Sequence, residues 1–200
     1  LPKGIALANC AAAAAQTCIW NPAGAGPDNW SNPGKWTSCS GAGAGSGPLG
    51  TPRFADTAQI GSGNPALDLP VSVAGLTLSG GILLGDHSIT VTGDFTWSGG
   101  ELRASNSSFE LIVDSSANAT LLGGQKNLNG RKLSFTNTLS NWTTGLIELS
   151  NGAEIDISGS SSFVINPGAA EERIYFSGVG AEPQISNLGS MVKVGTNVAG

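Results

Sequence analysis

The chain has 200 residues, of which 14 are Asp or Glu and nine are Lys or Arg, so it carries a net charge of −5 at neutral pH. Its longest basic run is Arg131-Lys132, which is too little positive charge for nucleic-acid binding, and no apolar run approaches the roughly 20 residues of a membrane span. Only 12% of the residues are charged while 30 are Gly and 10 are Pro, a balance that favours an extracellular or cell-surface protein over an intracellular enzyme.

Residues 1–16 form an apolar, Ala-rich N-terminal segment that includes Ile5, Leu7 and Cys10. Its composition is typical of the apolar region of a signal peptide, and Ala13 to Ala15 would suit a small-residue cleavage site. We expect a mature segment that docks on a partner or on the protein's own core. A retained leader is the alternative interpretation.

Residues 17–53 precede the predicted strands and contain three of the five tryptophans, Trp20, Trp30 and Trp36. An open end of a stacked β-structure exposes strand edges and apolar side chains, and indole rings cover such an end with few residues. We therefore expect an N-terminal cap, followed by a flexible Gly-rich loop at 40–53. A carbohydrate-stacking platform is the alternative role for the three rings.

The same stretch holds two of the three cysteines. Cys18 and Cys39 flank the tryptophans, and a disulfide between them would close a loop of about 20 residues and stabilise the fold by roughly 3 kcal/mol. Cys10 would then be a free thiol or an intermolecular bridge. Pairing of Cys10 with Cys18, which leaves Cys39 over, is the alternative.

Residues 54–200 carry short apolar or alternating segments such as LTL at 76–78, ITV at 89–91 and LIV at 111–113. Gly, Asn, Asp or Ser bounds nearly every segment, and helical spacing is absent from the sequence. This pattern predicts an all-β domain built from strands of three to five residues.

Three interleaved series of apolar or hydroxyl positions share a period close to 20 residues. The first series is Val91, Ile112, Leu133, Ile155, Ile174 and Val192; the second is Thr77, Thr96, Thr120, Trp142, Val164 and Ile185; the third is Leu83, Leu102, Leu128 and Ile147. One period shared by three series predicts a parallel β-helix of about five to seven coils with three short strands per coil. A propeller blade would need about twice this period.

Each strand of such a coil should alternate its side chains between the narrow interior and the surface. We expect Ile112, Leu133 and Ile155 to stack inside in consecutive coils. Thr77 and Thr96 are expected to face outward.

The corners between strands bend sharply, and Gly and then Asn tolerate the backbone conformations found there. Asn129, Asn151 and Asn106 lie at predicted corners. These asparagines either stack into a side-chain ladder or serve only as turn residues.

The segments NWSNPGKW, DTAQI, VSVAGLTLSGG and SITVTGDFTWSGGEL resemble those of secreted bacterial parallel β-helix surface proteins, in the style of autotransporter passengers and filamentous-haemagglutinin-like adhesins. The resemblance covers roughly residues 17–165. It implies an exported, extended solenoid, with bacterial-type export and no shared catalytic residue. The chain is shorter than the passengers, which usually carry many more coils.

Motifs for catalysis, metal binding and phosphate binding are absent from the sequence, so we expect no cofactor. The single histidine, His87, follows Asp86, but a turn between two strands explains this pair more simply than an acid/base role. Six carboxylates are scattered over the predicted coils: Asp94, Asp114, Glu110, Glu148, Glu154 and Asp156. A secreted carbohydrate-active enzyme is therefore the third functional interpretation.

We expect a structural subunit of an extracellular fibre or surface layer, with copies of itself as partners. Its last residues, MVKVGTNVAG at 191–200, are strand-like and lack a cap, so that edge is expected to accept residues 5–15 of a neighbouring copy, with Cys10 able to lock the joint. An adhesin that binds a glycan or a host protein on its lateral face is the second interpretation.

Overall fold

The computed structural model describes residues 14–24, 28–39, 50–137, 139–166, 172–178 and 180–194. These residues form twenty short β-strands and one 3-10 turn at Pro33–Lys35, and none of their helices is long and apolar enough to cross a membrane. In chain order the strands are β1 (Thr17–Trp20), β2 (Trp36–Thr37), β3 (Thr57–Ile60), β4 (Val71–Val73), β5 (Gly75–Leu78), β6 (Ile82–Leu83), β7 (Ile89–Val91), β8 (Asp94–Trp97), β9 (Gly100–Arg103), β10 (Glu110–Val113), β11 (Asn118–Leu121), β12 (Lys126–Asn129), β13 (Lys132–Phe135), β14 (Ser140–Trp142), β15 (Leu146–Ser150), β16 (Glu154–Ile157), β17 (Ser162–Ile165), β18 (Arg173–Phe176), β19 (Gln184–Asn187) and β20 (Ser190–Lys193).

The strands form three sheets that run along a solenoid. Sheet I has the order β2-β1-β3-β5-β8-β11-β14-β17-β20, sheet II has the order β4-β7-β10-β13-β16-β19, and sheet III has the order β6-β9-β12-β15-β18. The strand pairs are parallel, apart from the antiparallel pair of β1 with β2. Each coil passes through sheets I, III and II in turn, which gives five complete three-strand coils between β5 and β19. The predicted parallel β-helix is confirmed.

The interior is a continuous apolar column because strand residues alternate between inside and outside. In β10, Leu111 and Val113 are fully buried and Ile112 between them is only partly buried. The inward column of sheet II therefore runs through Leu111, Leu133 and Ile155, and the expectation that Ile112 stacks inside is wrong. All three residues of the LIV segment are apolar, so hydropathy alone could not choose the phase of this strand.

The outward threonines lie where the alternation places them. Thr77 and Thr96 are in register on β5 and β8, each between two buried neighbours. On the next strands, Thr120 pairs with Asn141 rather than with Trp142, whose ring points into the core. The second series therefore assigns Trp142 to the correct sheet, but its side chain faces inward and those of Thr77, Thr96 and Thr120 face outward.

In the third series, too, one residue was assigned to the wrong register position. Leu83, Leu102 and Leu128 stack in sheet III as expected, but the next member of their column is Leu149. Ile147, which was expected there, pairs with Lys126, two positions earlier on the same face.

The last coil departs from the predicted register. Ile174 lies in sheet III, Ile185 in sheet II and Val192 in sheet I, so the final members of the first two series were assigned to the wrong sheets. Paired Val164 and Val192 are 28 residues apart, whereas paired Thr77 and Thr96 are 19 apart. Longer connections on either side of β18 enlarge this coil, so extrapolation of a constant period fails there.

A side-chain ladder does follow one corner of the coils. Asn151, at a turn with a φ of +53°, donates from Nδ2 to Asn129 Oδ1 at 2.7 Å, and Asn129 Nδ2 donates to Glu101 Oε1 at 2.8 Å. Asn106 lies outside this ladder, because its Oδ1 accepts from the backbone N–H of Ser108 within a local turn. The third rung is therefore Glu101.

Candidate functional site

The N-terminal end of the solenoid is covered by an aromatic cluster. Trp20, Trp30 and Trp36 are at most 6% exposed. The ring centroids of Trp20 and Trp36 lie 5.1 Å apart and those of Trp30 and Trp36 lie 4.7 Å apart, both in edge-on geometry. Trp36 Nε1 donates to the carbonyl of Trp30 at 2.8 Å. Buried rings of this kind cover a core, and they are not available as a stacking platform for sugars.

A disulfide between Cys18 and Cys39 fastens this cap, as the sequence predicted. Cys18 belongs to β1, which pairs in parallel with β3 and so extends sheet I beyond the first coil. Asp56 lies beside the disulfide, and its two carboxylate oxygens accept from the backbone N–H groups of Gln16 and Arg53 at 3.0 and 3.1 Å. The cap is therefore joined to the first coil by covalent, sheet and side-chain bonds.

Two expectations about the N-terminal region lie outside the described residues. They are the assembly segment with Ile5, Leu7 and Cys10, and residues 40–49 of the Gly-rich loop predicted at 40–53.

Within the cap itself, Lys35 is nearly buried, and its Nζ donates to the carbonyl of Pro22 and pairs with Asp28 at 2.8 Å.

At the opposite end of the described solenoid, the interior is only partly covered by described residues. The outer edges of β18, β19 and β20 have no strand partner among the described residues. Phe176 and Ile185 occupy inward positions of this coil yet are 53% and 40% exposed. Ile174 and Met191, also at inward positions, pack against the core but remain partly exposed. The last described coil thus presents apolar side chains and free backbone groups together.

The outer face of sheet III carries a polar network. Arg103 forms two hydrogen bonds with Glu101, at 2.7 and 2.9 Å, and Glu101 also accepts from Asn129. Two coils beyond Glu101, Glu148 Oε2 accepts from Gln125 at 2.6 Å and from the hydroxyl of Tyr175 at 3.0 Å. Acceptors, donors and one aromatic ring therefore share a face that the sequence analysis did not single out.

Tyr175 is the aromatic member of this face. Burial and its hydrogen bond to Glu148 both raise the pKa of Tyr175, so the phenol stays protonated and donates to the carboxylate. Arg173, two residues earlier on the same strand, lies with its guanidinium carbon 5.5 Å from the centroid of the Tyr175 ring. The ring is therefore held between a cation and a carboxylate.

The outer face of sheet II gathers three of the six carboxylates that the sequence analysis named. Lys132 Nζ lies 3.4 Å from Glu154 and 3.3 Å from Asp156, and Glu110 is in register with Lys132 on the neighbouring strand. Although partial burial lowers it, the carboxylates of Glu154 and Asp156 hold the pKa of Lys132 above its ordinary value. The cation separates the acids and pairs with them.

The remaining three carboxylates lie elsewhere. Asp94 is on sheet I, where it accepts from Asn118 at 3.2 Å, and Glu148 is on sheet III. Asp114 follows β10 and accepts from the N–H of Ser115 in a tight turn. The six acids are therefore divided among different faces.

His87 and Asp86 form a turn between β6 and β7, as expected. Asp86 accepts from the N–H of Ser105 at 2.8 Å, and His87 offers its backbone carbonyl to Arg131 Nη1 at 2.9 Å. The Asp86 contact joins neighbouring coils and the His87 contact spans two coil steps, and neither places the imidazole against a carboxylate. The pair is part of a corner that is held by the buried Arg131.

Comparison with known proteins does not assign the chain to a family. No family model matches the sequence, and neither the curated proteins nor the solved structures contain a significant match. The features of the described residues that bear on function are therefore the capped end, the partly exposed last described coil and the polar outer faces.

Proposed function

We propose that this protein is a structural subunit of an extracellular fibre or surface layer, in which copies join end to end. The observation that carries the proposal is the difference between the two ends of the solenoid. Tryptophans and a disulfide cover the first coil, whereas the last described coil leaves Phe176 and Ile185 about half exposed at interior positions. Apolar surface of this kind favours burial, and free strand edges add backbone hydrogen bonds to a partner strand.

Two further features support a structural role outside the cell. A disulfide persists in oxidising compartments and is rare where thiols are kept reduced. The solenoid itself has a rigid, repetitive wall, in which each coil contacts only its neighbours and so can be extended by stacking. Resemblance to bacterial β-helix surface proteins agrees with export to the cell surface.

The joint is proposed to involve the N-terminal end of the neighbouring copy. A contact between two different ends does not close on itself and therefore propagates into a filament. Residues 5–15 are the apolar segment proposed to add to the free edge, and Cys10 could form a disulfide across the joint with a cysteine of the neighbour.

The proposal is tested by electron microscopy and sedimentation of the purified full chain over a range of concentrations. We expect filaments or end-to-end oligomers from the wild type, and monomers from Ile185→Asp, which places a charge on the uncovered end. Thr120→Asp is the matched control, because it adds the same charge to the lateral wall and should leave assembly unchanged. Deletion of residues 1–15 should preserve the β-rich circular dichroism spectrum and abolish fibres.

Two results would contradict the proposal. The first is a wild-type chain that remains monomeric at high concentration. The second is assembly of Ile185→Asp that matches that of the wild type while its circular dichroism spectrum is unchanged. Fibres that form without residues 1–15 would exclude that segment from the joint and leave the uncovered coil as its main element.

A glycan-binding adhesin is the second candidate, and the outer face of sheet III favours it. Sugars are bound by planar arrays of carboxylate, amide and guanidinium groups beside an aromatic ring, and Glu101, Arg103, Gln125, Glu148 and Tyr175 supply these groups on one face. Screening the monomeric Ile185→Asp variant against a glycan array tests this candidate. Binding should be lost in Tyr175→Ala and retained in Thr120→Asp, and the absence of any bound glycan would exclude the candidate for the glycans tested.

A further inference from the structure

The disulfide of the cap lies beside a carboxylate. The two sulfur atoms of Cys18 and Cys39 and one carboxylate oxygen of Asp56 all lie within 4.8 Å of one another. Cys18 and Asp56 are buried, whereas Cys39 is partly exposed. Two sulfurs and an oxygen at this separation are a ligand set for a metal ion once the disulfide is reduced.

The backbone brings the two cysteines together through an irregularity just after β2. Because Ile19 pairs with Thr37, a regular antiparallel register would place Ser38 opposite Cys18. Ser38 instead has a φ of +61°, which is uncommon for a residue other than glycine, and the Cα atom of Cys39 lies 4.7 Å from that of Cys18. The sulfurs are therefore positioned by strand pairing as well as by the bond between them.

Asp56 reaches the sulfurs from the first coil. Its backbone carbonyl accepts from the N–H groups of Ala74 and Gly75, at 2.9 and 3.2 Å, and its two carboxylate oxygens accept from those of Gln16 and Arg53. One backbone donor on each oxygen leaves that oxygen a second lone pair for another partner. Carboxylates that bind metals are usually oriented by hydrogen bonds of this kind.

The charge of Asp56 gives a second reason to expect a cation here. This residue is 1% exposed, and among the described residues the ion pairs involve other acids, namely Asp28, Glu101, Glu154 and Asp156. Burial of a carboxylate is costly unless its charge is paired or binds a metal, and two amide N–H groups compensate only part of that cost. A cation beside the sulfurs supplies positive charge at this point.

We propose that the reduced cap binds one zinc ion through Cys18, Cys39 and Asp56. Thiolates favour Zn²⁺ over Ca²⁺ and Mg²⁺, which prefer oxygen ligands. In a tetrahedral zinc site with bonds of about 2.0–2.3 Å, the ligand atoms lie roughly 3.6–3.8 Å apart, a spacing that side-chain rotations can reach from the present one. Solvent beside the partly exposed Cys39 supplies the fourth ligand. Such a site does not depend on end-to-end assembly.

Zinc and the disulfide exclude each other at this site. A thiol reductant, RSH, opens the bond between Cys18 and Cys39: the two sulfurs take up two electrons and two protons, and the reductant leaves as RSSR. Zn²⁺ then displaces the two thiol protons into solvent. In the opposite direction, a disulfide oxidant RSSR accepts two electrons from the thiolates, the bond between Cys18 and Cys39 forms again, and Zn²⁺ leaves with two RS⁻. The cap is thus closed by zinc when its thiols are reduced and by the disulfide when they are oxidised.

The test uses the full-length chain with Cys10→Ser, so that Cys18 and Cys39 are its only cysteines. The chain is reduced, freed of reductant and kept without oxygen. Co²⁺ is the first probe, because tetrahedral thiolate coordination gives it intense visible bands and a sulfur-to-cobalt charge-transfer band. We expect one Co²⁺ per chain, its displacement by one Zn²⁺, and the release of about two protons per metal ion at neutral pH. The oxidised chain should show none of these changes.

X-ray absorption of the zinc-loaded chain identifies the ligands with the site unaltered. We expect two sulfur atoms at about 2.3 Å and two oxygen atoms at about 2.0–2.2 Å from the metal. Zinc should also raise the urea midpoint of the reduced chain and leave that of the oxidised chain unchanged, because a ligand stabilises only the form that binds it.

Asp56→Asn tests the carboxylate, because the amide keeps the shape of the side chain and removes its charge. We expect the zinc affinity of the reduced chain, measured by competition with a chelator, to fall at least roughly tenfold. Asp94→Asn is the matched control, since Asp94 lies on β8 of sheet I, away from the cap, and should leave the affinity unchanged. Circular dichroism of the oxidised variants checks their fold while the disulfide closes the cap.

Three results would overturn the proposed site. The first is a reduced chain whose cobalt spectrum lacks the charge-transfer band or whose zinc has no sulfur ligand. The second is equal zinc affinity in Asp56→Asn and Asp94→Asn, which would remove Asp56 from the ligand set. The third is equal zinc affinity in the oxidised and reduced chains, which would place the ion away from the cysteines. If Asp56→Asn loses its β-rich spectrum, the ligands found by X-ray absorption decide.

Discussion

Ile155 and Ile185 pair in register on neighbouring strands of sheet II, yet Ile155 is 1% exposed and Ile185 is 40% exposed. Both side chains point into the solenoid, so the difference reflects the cover that one further coil supplies. The same change occurs in sheet III between Leu149 and its partner Phe176. Among the described residues, the coil that contains β18 and β19 therefore lacks the cover that the preceding coils have, and the proposed assembly depends on this feature.

The cap disulfide should contribute measurably to stability. Non-reducing peptide mapping should recover Cys18 linked to Cys39, and Cys39→Ser should lower the free energy of unfolding in urea by roughly 3 kcal/mol, because the linkage restricts a long loop in the unfolded chain. Cys10→Ser is the control and should leave this free energy unchanged. Recovery of Cys10 linked to either cysteine would contradict the connectivity.

The inward column of sheet II should be intolerant of charge. Leu133 is fully buried between Leu111 and Ile155, so Leu133→Asp buries an unpaired carboxylate and should cost several kcal/mol in denaturant unfolding. Thr96→Asp and Ile112→Asp change outward positions and should cost far less. Equal losses at Leu133 and Ile112 would mean that the assigned faces are wrong.

Much of this fold could be predicted because its period and its strand lengths are both visible in the sequence. Prediction failed where local hydropathy is ambiguous or the period changes. In the LIV segment every residue is apolar, so only the pairing of Ile112 with Thr90 and Ser134 reveals its outward position. In the last coil, longer connections moved Ile185 into a different sheet from the one expected.

The candidate site was less predictable than the fold. The cap could be inferred, since Trp and Cys are rare in the chain and concentrated in one stretch. The polar face of sheet III forms because stacking brings Glu101 and Tyr175 beside residues of other coils. No local sequence motif indicates these contacts. The burial of Lys126 and Arg131 was not predicted either, because charged residues in a segment rich in Asn and Gly are usually solvated turn residues.

The buried Lys126 should give stability an unusual pH dependence. Its side chain is fully buried in the solenoid, where Nζ donates to the carbonyls of Gly124 and Thr144 at 2.9 and 3.1 Å. Burial lowers the pKa of Lys126 from 10.5 to about 8. Between these values the unfolded chain binds more protons than the folded chain, so this group makes the free energy of unfolding rise with pH, by at most about 3 kcal/mol.

The measurement is urea unfolding of the wild type and Lys126→Met from pH 7 to pH 10.5. The stability of the wild type relative to the variant should increase over this range. Lys132→Met is the matched control: the acids around Lys132 raise its pKa above the ordinary value of 10.5, so its contribution is lost only at still higher pH and its difference from the wild type should stay nearly constant over this range. A constant difference between the wild type and Lys126→Met would show that this ammonium group is not desolvated.

The last prediction concerns Arg131, which joins the corners of three coils. Its guanidinium is fully buried and donates to the carbonyls of His87 at 2.9 Å, Arg103 at 3.2 Å and Gly85. Burial lowers the pKa of Arg131 to about 10, chiefly by desolvation, which still leaves it charged at neutral pH. A single cation therefore satisfies carbonyl groups that the sharp corners turn away from the strand ladders.

Arg131→Ala should leave these buried carbonyls without donors, and each such loss costs about 1 to 3 kcal/mol. Arg131→Lys should be intermediate, because one ammonium group cannot reproduce the planar fork that reaches several carbonyls at once. Urea unfolding measures the loss, and hydrogen exchange should show the earliest opening at the corner that contains Gly85 and His87. Arg103→Ala is the control, since this partly exposed side chain pairs with Glu101 at the surface and should cost little. A loss in Arg131→Ala no larger than that in Arg103→Ala would mean that water replaces the guanidinium, and that the corners are held by their strands alone.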